Sequence, residues 1–377
     1  MWEYQQPVRI LFGPGTLSQL GDEIKSMGGR RGLLVTSPGF VRRGLAKQIV
    51  NQSSGLLIDI FSHVSPNPTV DDCDACCQVL RRQKCDFVVA VGGGSVMDCA
   101  KAAATLSLQS ESSTAYVGTG KALPQGHLPL IAVPTTAGTG SEITCVAVLS
   151  DHRRGVKASF SGDGLYPRLA IVDPELTYTV PPYLTACTGF DVICHATEAY
   201  WSLHHQPVCD TLAVHAMKLA LGHLLEAFDR PDDHEARQAM AEASVTAGLA
   251  FTLPKTSAPH ACSYPLTNML GIPHGEACIL TMPLFIRYNV DGGCRRVDDF
   301  ARQCGLTDGY ALAQHIEVMR QHTGLRSDLR DLHLSVEQVD QLIAASHHPN
   351  LRNNPVPVTD RFLHQMYYHL AGFDAAS

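Results

Sequence analysis

Charge is scarce in this 377-residue chain. Asp, Glu, Lys and Arg make up only 17% of it, and acidic residues outnumber basic ones 36 to 29. A nucleic-acid binder needs a cationic surplus against phosphate, so that class is excluded as an expectation. Long apolar runs are missing too: no stretch approaches the roughly 20 uninterrupted apolar residues of a spanning helix, and no membrane partner is expected. Met1-Trp2-Glu3-Tyr4-Gln5 lacks a basic segment leading into an apolar run, so no secretory signal is read. The 13 cysteines are therefore expected as reduced cytoplasmic thiols. With 45% apolar residues the chain is too hydrophobic for disorder. What is plentiful is histidine, at 18.

The first half alternates short apolar runs with helical stretches. Gly32–Thr36, Leu56–Ile60, Phe87–Val91, Leu130–Val133 and Leu169–Val172 read as strands, with a helix over roughly Arg43–Gln52. Continuous apolar strands between helices predict a parallel sheet covered by helices on both faces. Long helical periodicities follow, including Asp210–Phe228 and Glu235–Leu253. The expected organisation is an α/β domain over residues 1–180 and an all-α domain over 181–377.

Two loops carry nucleotide chemistry. In Val91-Gly92-Gly93-Gly94-Ser95 a strand enters three glycines and a helix begins at once. Such a turn suits a pyrophosphate on a helix N-terminus, with Ser95 as a hydroxyl contact or the N-cap. Pro134-Thr135-Thr136-Ala137-Gly138-Thr139 also follows a strand. Neither is a G-x-G-x-x-G fingerprint, and no G-K-[ST] follows the glycines, so a dinucleotide is favoured over a triphosphate.

A second constellation suits a metal. Asp191 and His195 lie four apart and share a helix face, while His260 and His274 lie fourteen apart further on. One carboxylate and three imidazoles suit Fe²⁺ or Zn²⁺. The Cys73, Cys76 and Cys77 group lacks a second pair at finger spacing and is expected to pack inside a helix. No G-x-S-x-G elbow surrounds any serine. The adjacent pairs His204-His205 and His347-His348 cannot each converge on one ion.

Residues 92–101, 134–142, 191–198 and 260–275 together closely resemble the iron-containing (group III) alcohol dehydrogenase family. So do Phe12-Gly13-Pro14-Gly15, Pro66-Asn67-Pro68-Thr69, Asp173-Pro174-Glu175-Leu176-Thr177 and Gly189-Phe190-Asp191-Val192. The resemblance implies a dinucleotide-binding α/β domain and a helical metal-binding domain. It implies a divalent metal at Asp191, His195, His260 and His274. It also implies cofactor contacts at Asn67, Gly93, Gly94, Ser95, Asp98, Thr135, Thr136, Thr139 and Lys157. Relatives are usually dimers or larger, so a homo-oligomer is expected.

Two departures from the family bear on function. Ser37 stands where many NAD-preferring members carry an acid for the adenosine ribose. With Arg42 and Arg43 close by, this predicts that NADPH is accepted alongside NADH. Tyr264 stands where many relatives have a second histidine; its phenol either donates a hydrogen bond or only shapes the pocket.

The expected reaction is metal-assisted reduction of a short aldehyde to a primary alcohol by NADPH or NADH, with Fe²⁺ or Zn²⁺. Residues 258–264 and 200–202 resemble phosphonoacetaldehyde reductases of the family, and Lys255 is a candidate for an anionic tail. The reading leans to a phosphonate- or sulfonate-bearing aldehyde. Its rivals are a simple alcohol or diol dehydrogenase, a dehydroquinate synthase-like cyclase-lyase and a non-catalytic nucleotide or metal sensor.

Overall fold

The computed structural model describes residues 2–373; residue 1 and residues 374–377, the two ends of the expected domains, lie outside the described residues. The chain divides into two compact units. One is Gln5–Thr179, and the other runs on from Val180 and takes in the residues up to Tyr4.

The first unit is built on a six-stranded sheet: β1 (Arg9–Phe12), β2 (Gly32–Thr36), β3 (Leu57–Phe61), β4 (Phe87–Gly92), β5 (Leu130–Pro134) and β8 (Leu169–Val172). These pair in parallel in the order β1-β8-β5-β4-β2-β3. Leu33, Val35, Val88, Ala90 and Ala132 point to one face, packing on α4 (Val70–Gln83) and α5 (Gly94–Leu106). Leu34, Val89, Val91, Ile131 and Val133 point to the other. They meet α1 (Leu20–Ser26), α2 (Pro38–Arg42) and α3 (Leu45–Gln52). Both faces are dry, which is why these strands read as unbroken apolar runs. Cys73, Cys76 and Cys77 lie buried on α4 against this core.

Three details differ from the sequence reading. The helix expected over Arg43–Gln52 begins only at Leu45, because Gly44 takes a left-handed φ of 78° and separates α3 from the short α2. The strand expected at Leu56–Ile60 is shifted by one residue. Strand β1 and an antiparallel hairpin, β6 (Val146–Asp151) with β7 (Val156–Ser161), have no counterpart in that reading.

The second unit is helical throughout its regular elements. These are α6 (Pro182–Trp201), α7 (Pro207–Asp229), α8 (His234–Phe251), α9 (Ala258–Leu270) and α10 (His274–Asp291). They continue with α11 (Arg295–Gln303), α12 (Gly309–Thr323), α13 (Val336–Ala345) and α14 (Asp360–Ala371). Helix α6 is buried without a break from Gly189 through Trp201 and packs against α7, α8 and α10. A helix buried on every side is central, so the polar groups it carries, among them Asp191, His195 and Glu198, need partners. Helix α7 is long and apolar enough to cross a membrane by length and composition. Asp210, Lys218 and Glu226 interrupt it, however, and its buried residues Ala213, Ala216, Ala220 and Leu224 form one stripe.

Candidate active site

In the first unit, register aligns the two loops singled out in the sequence. Thr36 pairs with Val91 and Gly92 with Pro134, so β2, β4 and β5 end side by side. The chain places β3 on one side of β2 and then β4 on the other. This reversal makes a topological switch point between the ends of β2 and β4, where open α/β sheets bind ligands, with the β5 loop beside it. Thr135 N–H donates to Gly92 O at 3.0 Å, tying the loops together. A Cβ on Gly94 would lie 2.9 Å from Thr139 Cγ2, so only glycine permits this approach.

Gly93 is the N-cap of α5, with φ −79°, and none of Gly92, Gly93 and Gly94 has a positive φ. The triplet therefore serves close approach, not left-handed backbone. No side chain caps α5 and its first turn holds no acid, leaving an anion seat open. Ser95 lies within that turn instead of capping it; its Oγ accepts from Asn67 N–H at 3.3 Å. Asn67 Oδ1 accepts from Lys157 Nζ at 3.0 Å, so these three predicted residues form one chain of contacts.

Asp98 is turned inward. Its carboxylate accepts from Ser141 Oγ at 2.6 Å and Val148 N–H at 3.0 Å, and burial raises its pKa. It braces the threonine loop together with buried Lys101, whose Nζ donates to Ser141 O and Thr144 O. Asp98, expected among the cofactor-holding residues, thus also supports the threonine loop beside the glycine turn. Ser37 caps α2, its Oγ accepting from Phe40 N–H, immediately after β2 at the same sheet end.

In the second unit, α6 carries Asp191 and His195 one turn apart, α9 carries His260, and His274 opens α10. Gly275 makes that placement possible: a Cβ there would lie 1.9 Å from Cys187 O of α6. The Nε2 atoms of His195, His260 and His274 lie 3.9, 3.4 and 3.9 Å from Asp191 Oδ1. That oxygen is buried and has no hydrogen-bond partner. An orphaned buried carboxylate oxygen faced by three imidazole nitrogens is costly in a bare protein and fits a divalent cation. Burial pushes the Asp191 carboxyl up, but the three imidazoles outweigh it and hold its pKa well below the usual carboxylate range.

Glu198, which the sequence reading missed, completes the arrangement. It lies two turns beyond Asp191 on α6 and is fully buried. Its Oε2 accepts from His260 Nδ1, and its Oε1 accepts from Ser257 N–H at 2.7 Å and Ser257 Oγ at 3.1 Å. The acceptor fixes the proton on Nδ1 and turns the Nε2 lone pair to the centre. The i+7 spacing from Asp191 was the available signal.

Tyr264 sits one turn after His260, and its ring stacks at 6.2 Å from that of His274. Burial lifts the phenol to about 12, so it stays protonated as a donor at neutral pH. Beyond it, the ring of His348 lies 4.7 Å away, a contact that the adjacency of His347 and His348 in sequence does not suggest. His348 Nδ1 accepts from Asn350 N–H at 3.2 Å, and burial lowers its pKa. Lys255 is exposed on the loop before α9, with a left-handed φ of 67°. Thr256 beside it is held by Asn350 Nδ2 at 2.7 Å and Asn353 Nδ2 at 2.9 Å, and Ser257 Oγ accepts from Trp201 Nε1 at 2.8 Å.

Residues 7–174 match the model described as iron-containing alcohol dehydrogenase, and residues 185–370 match the C-terminal model of the Fe-containing alcohol dehydrogenase family. The chain belongs to the iron-containing alcohol dehydrogenase family. It is 34% identical to a 1,3-propanediol dehydrogenase of Citrobacter freundii over 88% of this chain and 89% of that one. It is likewise 34% identical to a 4-hydroxybutyrate dehydrogenase of Cupriavidus necator, over 88% and 90%. A crystal structure of a sulfoacetaldehyde reductase from Bifidobacterium kashiwanohense in complex with NAD+ superposes with a TM-score of 0.96. It is 51% identical, with 99% of this chain and 100% of that one covered. The protein is thus an NAD(P)- and iron-type oxidoreductase interconverting aldehydes and alcohols.

Proposed function

We propose that this dehydrogenase reduces a short aldehyde carrying a sulfonate, and secondarily a phosphonate, to the corresponding primary alcohol. The observation that carries the sulfonate is the 51% identity to a sulfoacetaldehyde reductase across both chains. Lys255 supplies the local cation such a tail needs, since the chain as a whole is negative. Its loop is pinned through Thr256 and Ser257, so the ammonium projects from a fixed base.

In this reading the first unit seats the dinucleotide: its pyrophosphate on the Gly93–Ser95 turn, its other polar groups against Thr135, Thr136, Thr139, Asn67 and Lys157. Ser37 leaves room for a 2′-phosphate, so NADPH serves as well as NADH. Asp191, His195, His260 and His274 hold the metal. Iron polarises a carbonyl when bound, and reduced nicotinamide supplies hydride. Glu198 keeps the His260 proton on Nδ1. The Tyr264 hydroxyl, protonated at neutral pH, donates a hydrogen bond toward the reacting oxygen, and water supplies the proton that completes the alcohol.

The test is oxidation of NADPH and NADH across simple, hydroxylated, carboxylated, sulfonated and phosphonated short aldehydes, with Fe²⁺ or Zn²⁺ reconstituted separately. The sulfonated aldehyde is expected to give the highest kcat/KM. A preference for the unsubstituted or hydroxylated aldehydes would favour a simple alcohol or diol dehydrogenase. No net cofactor oxidation with any aldehyde would favour a synthase-like or sensor role.

A further inference from the structure

We propose that Cys278 is a ligand of the cation, donating a thiolate sulfur to the site of Asp191, His260 and His274. The proposal rests on the metal reading above and adds a donor of a different chemical class. Cys278 is one turn after His274 on α10, so their side chains share a helix face. Its Sγ lies 3.8 Å from His274 Nε2. One ligand atom from each of Asp191, His260, His274 and Cys278 falls within 4.8 Å of every other. The unpartnered Asp191 Oδ1 belongs to this same shell. Cys278 is completely buried, so its sulfur meets these groups and not solvent.

With His195 Nε2, 3.9 Å from Asp191 Oδ1, these make five donors around a volume that a single ion fills, at metal–sulfur and metal–nitrogen distances of about 2.3 and 2.0–2.1 Å after small side-chain adjustments. On coordination the thiol gives up its proton to solvent, the sulfur lone pair forms the metal bond, and no oxidation state changes. A thiolate is soft. It favours zinc and cobalt over magnesium and manganese, which imidazole and carboxylate alone discriminate less. Buried Cys194, on α6 beside His195, supplies a second buried thiol near the site and is an internal control.

Cobalt(II) titration of the metal-free full chain tests this by absorption, without turnover. The wild type and Cys194→Ser are expected to develop intense near-ultraviolet sulfur-to-cobalt charge transfer that saturates at one equivalent. Cys278→Ser and Cys278→Ala are expected to bind one cobalt with visible bands but without that near-ultraviolet band. Their Zn²⁺ affinity should fall roughly tenfold or more with Mn²⁺ affinity little changed. Two replacements of different polarity guard against a folding failure in either. The same near-ultraviolet band in the Cys278 variants, or its absence from cobalt-loaded wild type, would overturn the thiolate ligand. Wild type that binds no cobalt, zinc or iron would overturn the metal site itself and the ligand with it.

Discussion

Glu198 reaches from α6 to accept a hydrogen bond from Nδ1 of His260 on α9, and through its other oxygen it accepts from Ser257 N–H. One carboxylate thereby sets the orientation of a metal-facing imidazole and the start of the helix that carries it. Glu198→Gln is expected to weaken metal binding by roughly 10–100-fold. Competition against a chelator measures this, and an unchanged dissociation constant would remove Glu198 from the site's support.

Lys255 tests the tail-binding side of the site. Lys255→Ala should raise KM for a sulfonated aldehyde about tenfold, the loss of about 1.4 kcal/mol from one charge-assisted contact. KM for propanal should hardly move, because that aldehyde offers the lysine nothing. Equal effects on both substrates would make Lys255 a general loop residue.

Ser37 sits at the strand end where the adenosine ribose is expected, and it caps α2. Aspartate caps helices equally well, so Ser37→Asp should fold normally. The new carboxylate should lower kcat/KM for NADPH by more than about tenfold while sparing NADH, since it repels a 2′-phosphate. Parallel steady-state kinetics with the two cofactors decide the matter.

Glu142 makes a stability prediction with a definite sign. Burial raises its carboxyl to about 7 from 4.5. Between those values the folded state holds more protons than the unfolded state, so stability falls as pH rises through the window. Glu142→Gln removes that cost. Its Tm should exceed the wild type's at pH 8, by at most about 3 kcal/mol in stability, and the gap should close toward pH 5. A gap that is constant with pH would place the effect elsewhere.

The sheet was legible because β2, β4, β5 and β8 are buried on both faces and so contain almost only apolar residues. Strand β1 is a four-residue edge beginning at Arg9, and β7 is only half-buried, so neither has that signature. In the helical unit, Asp191 and His195 were legible from spacing within one helix. Cys278 gains its meaning only when α10 closes on α6, and His348 only when its turn lies against Tyr264. Those contacts are tertiary, and no local periodicity encodes them.

The most direct measurement compares kcat/KM for sulfoacetaldehyde and propanal in Fe²⁺-reconstituted protein, before and after chelation. Expected is a clear preference for the sulfonated aldehyde, with both activities lost on chelation and restored by Fe²⁺. Activity that survives complete metal removal, or propanal reduced as efficiently as sulfoacetaldehyde, would contradict a metal-dependent reductase of anionic aldehydes.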